Sequence, residues 1–71
     1  MKKDFQLLDV VALVDDQGGE GLLTGQVGTI VEVLDAGVFE VEFCDDEGRT
    51  YATLALRSDQ LMALHYSPVA A

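Results

Sequence analysis

The sequence predicts an all-β fold: about five short, strongly bent antiparallel strands nearly closed into a small barrel, with a short 3₁₀ turn before the last strand. Residues Gly25 to Asp45 read as two strands joined by a tight turn at Asp35-Ala36-Gly37. The second of these, Val38-Phe39-Glu40-Val41-Glu42-Phe43, alternates apolar and acidic residues, which is the period of a half-buried strand. The rest of the chain breaks into short apolar runs separated by Gly/Asp-rich turns, with no convincing long helix, internal repeat or low-complexity tract.

The first strand is expected at Val10-Val11-Ala12-Leu13-Val14, β-branched and flanked by Asp9 and by Asp15-Asp16-Gln17-Gly18-Gly19. Phe5-Gln6-Leu7-Leu8 before it fits either a turn of helix or an extension of that strand. Asp15 to Gly21 reads as a loop, and Leu22-Leu23-Thr24-Gly25 leads back to the hairpin. In the spacing Gly25-x-x-Gly28-x-Ile30-x-x-Val33, the residues Val27, Ile30 and Val33 are expected to face the core, with one break in register. Phe39, Val41 and Phe43 oppose them, while Glu40 and Glu42 face water. A second turn follows at Cys44-Asp45-Asp46-Glu47-Gly48-Arg49, with Gly48 free to take a positive φ. Thr50 to Leu56 is the next strand, with Ala52, Leu54 and Leu56 on one face. Ser58 is placed to cap a single helical turn through Leu61, Met62 to Tyr66 forms the last strand, and residues 67–71 read as a frayed tail. The 71 residues are expected to make one domain, with its core over about residues 8–66.

A domain this short buries only about 60% of the surface its unfolded chain exposes. With 49% hydrophobic residues, the chain is not a disordered tail, and some apolar surface is left for an interface. Thirteen acidic residues against four basic ones give a net charge of −9. Nucleic acid is therefore not expected as a ligand, because Lys2, Lys3, Arg49 and Arg57 are too few and too scattered to neutralise a phosphate backbone. An anionic membrane surface is disfavoured on the same ground, whereas a basic partner is attracted. The plainer reading of the acidity is that it keeps a small apolar protein soluble. No apolar run approaches the ~20 residues of a spanning helix, and Asp4, Asp9 and Asp15-Asp16 interrupt any resemblance to a signal peptide. A single cysteine, Cys44, permits no intrachain disulfide and favours a cytoplasmic location.

No catalytic, cofactor or metal set is expected. Asp45-Asp46-Glu47 are consecutive, so a hairpin turn does not converge all three on one cation, and a solvated turn is the simpler reading. Asp15, Asp16 and Glu20 are read similarly, except that a mobile loop leaves cation binding there slightly more open. Cys44 follows Phe43 with no histidine near in sequence and reads as a small buried or half-exposed hydrophobe. His65 is the lone histidine and reads as structural or surface-exposed. Gly18-Gly19-Glu20-Gly21 precedes no helix and no lysine, so it is no phosphate loop.

The run Asp9-Val10-Val11-Ala12-Leu13, then Gly21-Leu22 and Gly25-x-Val27-Gly28-Thr29-Ile30-Val31, then Phe39-Glu40-Val41-Glu42-Phe43-x-Asp45, resembles a family of short bacterial proteins known only as a domain of unknown function. Thr50 to Leu61 extends the likeness, with Leu54 and a closing Asp59-Gln60-Leu61, so that it covers about residues 8–61. The resemblance implies an SH3-like barrel. The hairpin also resembles barrels of the KOW kind, which implies RNA or ribosome binding, although the basic residues for that role are absent. A likeness to the barrel of nitrile hydratase beta chains and their accessory proteins lacks the helical portion of those proteins.

The function expected is that of a non-enzymatic protein-binding module with a basic partner, such as the antitoxin or immunity member of a two-gene system. Its contacts are placed on the loop from Asp15 to Leu23, at Glu20, Leu22 and Leu23, on the turn from Asp45 to Arg49, at Asp45, Asp46, Glu47 and Arg49, and at Tyr51. The alternative is a homo-oligomeric structural domain that buries Leu7, Leu8, Leu22, Leu23 and Tyr51 against a second copy, or an accessory subunit of a larger enzyme complex.

Overall fold

A computed structural model describes residues 5–17, 19 and 21–65. Five strands, β1 (Val10–Leu13), β2 (Val27–Asp35), β3 (Val38–Cys44), β4 (Thr50–Arg57) and β5 (Leu61–Ala63), form one antiparallel sheet in the order β4-β3-β2-β1-β5. A 3₁₀ turn over Ser58–Gln60 separates β4 from β5. This is the SH3-like arrangement that the sequence predicts. The expected tail at residues 67–71, and Tyr66 of the expected last strand, lie outside the described residues.

The hairpin turn forms where expected. Gly37 takes φ +72°, and the Asp35 carboxylate accepts the Ala36 N–H at 2.7 Å. These are the two features that make Asp and Gly turn residues. β1 ends one residue before Val14, whose N–H donates to the Gln60 carbonyl at 3.1 Å. The 3₁₀ turn is capped differently from the sequence reading. The Gln60 side chain, rather than Ser58, closes it by accepting the Arg57 N–H at 2.9 Å.

Ten buried residues make the core: Phe5, Val11, Leu13, Leu22, Ile30, Phe39, Val41, Phe43, Leu56 and Leu61, with Ala52 and Leu54 packed against them. Phe5 belongs to neither a helix nor β1. Its ring meets that of Phe39 edge-on at 5.6 Å, and a turn over Gln6–Asp9 then brings the chain into β1. That turn places Leu8 at φ +73°, a left-handed conformation that a branched, bulky side chain rarely adopts.

Two of the three β2 residues expected to face the core do not. Ile30 is fully buried, but alternation from Ile30 makes Gly28 the inward residue. Val27 pairs with Ala12 on the outer face, where Ala12 also pairs with Met62, and Val27 is exposed. Val33 lies opposite Phe39 but beyond the part of β2 that β1 reaches, and it too is exposed. β2 carries two breaks in register, with Val31 and Leu34 as the extra residues. A third break lies in β4 at Tyr51. Such bulges bend and twist a strand, so β2 serves β1 with one end and β3 along its length.

The tightest point of the bend is Gly28. A Cβ there would lie 2.6 Å from Val41 Cγ1 and 3.0 Å from both the Glu42 carbonyl and Phe43 Cδ1. Gly28→Ala is therefore expected to destabilise the fold by about 1–3 kcal/mol through overpacking, read as a lower urea midpoint at unchanged m-value. A variant as stable as the native chain contradicts this packing.

Candidate binding surface

The second turn spends its polar groups on itself. Asp45 Oδ1 accepts the N–H groups of Glu47 at 2.9 Å and Arg49 at 3.0 Å, and Gly48 takes φ +81° to let the chain return. The Arg49 guanidinium lies 2.8 Å from Glu47 and 3.4 Å from Asp45. Two of the three turn acids thus already have a cation, on a surface where water screens the pairs. Asp46 is exposed and has neither an ion pair nor a hydrogen bond among the described residues.

Leu22 corrects the expectation of an exposed contact residue. It is 2% exposed, a core residue fixed by paired backbone hydrogen bonds with Gln17, and no partner reaches it. Its neighbour Leu23 is exposed. Glu20 lies outside the described residues. Tyr51 is half exposed, its ring tilted against Phe43 at 6.4 Å and its hydroxyl accepting a hydrogen bond from Gln26 Nε2 at 2.7 Å. Gln26 Oε1 in turn accepts the Leu23 N–H. The fold thereby joins Leu23 and Tyr51, which the sequence selects separately, through a residue the sequence reading did not single out. Only tertiary structure brings Gln26 to Tyr51.

Cys44 is exposed, more open than the buried or half-exposed position expected, 3.7 Å from Glu42 Oε1 and 3.6 Å from Thr50 Oγ1. His65 is exposed beyond β5. Among the described residues, no three His, Cys, Asp or Glu side chains gather to hold a metal ion, and no helix is long and apolar enough to cross a membrane.

The outer face of β2 and β3 is the acidic part of the sheet. Glu40 stands opposite Glu32 on β2 and Ala55 on β4, and Glu42 stands opposite Thr29 and Thr53. Like charges directly opposite one another are destabilising by a few tenths to 1 kcal/mol, about the size of any cross-strand pair. Among the described residues the ion pairs are those of Arg49 and of Arg57 with Asp59, so neither Glu32, Glu40 nor Glu42 has a cation.

The fold and this surface together define a small all-β module with an acidic outer face. The family model of a domain of unknown function, DUF4926, matches residues 7–63, and the chain belongs to that family. No curated protein and no solved structure matches it.

One loop acid has a distinct titration. Thr24 donates both its N–H and its hydroxyl to Asp16 Oδ1, each at 2.7 Å, and these bonds hold the carboxyl below its usual value of 3.8. A carboxylate with a lowered folded-state pKa stabilises the loop fully above the unfolded value and loses that contribution as pH falls through the folded one. In an acid titration followed by NMR, the Thr24 amide is expected to shift with a midpoint below 3.8, and Asp16→Ala is expected to abolish that step. A midpoint at or above 3.8 contradicts the bonding.

Proposed function

We propose that this chain is a non-catalytic protein-binding module, serving as the acidic member of a two-gene pair of the antitoxin or immunity type. The observation that supports it is the apolar surface left over by the fold. Nine large hydrophobic side chains are exposed among the described residues, a number close to that of the core itself. Scattered exposed hydrophobics are ordinary, but Leu7 and Leu8 are adjacent, and the Leu8 N–H bonds the Ile30 carbonyl beside the bulged Val31. Acidic charge around such surface attracts a basic partner and discourages an acidic one. In this reading the chain masks a basic surface of its partner.

Expression from its native locus with an affinity tag, followed by native mass spectrometry, tests the reading. The expected result is a complex of defined stoichiometry with a basic protein, encoded beside it, whose activity the complex suppresses. Recovery of the chain alone, or of a neighbour whose activity is unchanged in the complex, counts against it.

A second reading, a homo-oligomeric or accessory subunit, is favoured by Leu8. A large apolar residue held at positive φ and exposed to solvent costs about 1–2 kcal/mol. A partner surface gives that side chain a use. Leu8→Gly is expected to leave the monomer as stable or about 1 kcal/mol more stable, by relieving the backbone. For this reading, sedimentation shows a native oligomer that the variant loses; a native chain that sediments as a monomer at high concentration removes it.

A further inference from the structure

The free edge of β4 and the acids beside it define a docking lane for one kind of segment. The Ser58 N–H bonds the Gly37 carbonyl, which continues the β3 ladder past the end of β4. Counting back in steps of two, Leu56, Leu54 and Ala52 turn their backbone groups to β3, opposite Phe39, Val41 and Phe43. Arg57, Ala55 and Thr53 then turn theirs the other way. The Arg57 N–H confirms the direction by bonding the Gln60 side chain. β4 and β5 are the two ends of the sheet, and no described residue bonds the backbone of Thr53 or Ala55 on this side. Edge strands are ordinarily protected by charge, proline or short length. β4 has eight residues, no proline and a single charge at its last position.

The geometry points to an incoming β-strand of alternating basic and apolar residues, added to β4 as a sixth strand. The reading of the chain as a protein-binding module underlies this assignment, which adds the place and the chemistry of the partner. Residues of the new strand opposite Thr53 and Ala55 project on the outer face, alongside Glu42 and Glu40 in the same cross-strand rows. The two small side chains leave the lane low. The distance from the new strand to β3 is two strand spacings, roughly 9.6 Å, which a lysine and a glutamate side chain span between them. The alternate residues project on the inner face beside Leu54, which is only half buried and packs against the core. Apolar side chains there extend the core outward. A cation on the outer face also relieves the Glu32–Glu40 opposition.

The test uses the full chain and three synthetic peptides: Thr-Lys-Val-Lys-Ile-Lys-Val-Thr, the same composition with lysines and apolar residues in blocks, and the alternating form with Glu for Lys. Binding is read by fluorescence anisotropy and by amide shifts. The alternating basic peptide is expected to bind about tenfold or more tighter than either control, to shift Thr53 and Ala55, and to weaken with salt. Ala55→Pro removes the outward N–H without touching the β3 ladder and is expected to abolish binding. The double substitution Glu40→Gln with Glu42→Gln keeps the edge and is expected to weaken binding and flatten its salt dependence, so the test survives if the proline variant does not fold. Equal binding of all three peptides, shifts centred on Leu7 and Leu8, or a β4-to-β4 dimer that excludes the peptide overturns the assignment. If the peptide fails while a native partner is still recovered, the module reading stands and the docking lane falls.

Discussion

The bend in β2 is the constraint on which the remaining structure depends. Gly28 lets β2 approach Val41 and Phe43 more closely than any residue with a Cβ allows. The extra residues at Val31 and Leu34 then twist its second half away. One strand thereby wraps a core in which Val11, Leu13, Ile30, Val41, Phe43 and Leu61 are almost completely removed from water. In a chain this short, a bend replaces the second layer that a larger domain builds from more elements. The consequence is that the ends of the sheet stay ends. β1 pairs with β5 and β3 with β4, but β4 and β5 do not pair with each other.

Surface chemistry follows from this topology. Two of the three acids of the second turn are consumed locally, where Asp45 accepts backbone N–H groups and Arg49 offsets Asp45 and Glu47. The acids on the outer face of β2 and β3 are not offset by any described cation. They flank the one long strand that carries neither a carboxylate nor a proline. Unoffset acids and the outer edge of β4 are therefore neighbours in the sheet, and the fold loses some cross-strand stability in keeping Glu32 opposite Glu40.

Much of the fold was legible because turn chemistry is local. Asp35 and Gly37, and Asp45 and Gly48, sit where an accepting carboxylate and a positive φ are needed. The alternation in β3 fixed its faces without help. β2 departs from the expected pattern at Val27 and Val33 because a spacing of three does not hold one face of a strand. In a strand the inward partner of Ile30 is two residues away, and that residue is Gly28, which carries no hydrophobic signal. Leu22 and Leu23 are alike in sequence and opposite in burial, since a backbone bridge to Gln17 decides between them. Phe5 joins the core against Phe39, 34 positions later in the chain. The free edge of β4 is a property of strand order, which no local pattern encodes.

The claim that β4 is open on one side is tested most directly by amide hydrogen exchange on the isolated chain at neutral pH. Protection tracks hydrogen bonding and the cost of opening. Leu54 and Leu56, bonded into the β3 ladder, are expected to be protected, while Thr53 and Ala55, which alternate with them, exchange near the rate of an unstructured peptide. Equal protection along the strand would mean that the edge is already covered, and would contradict the account.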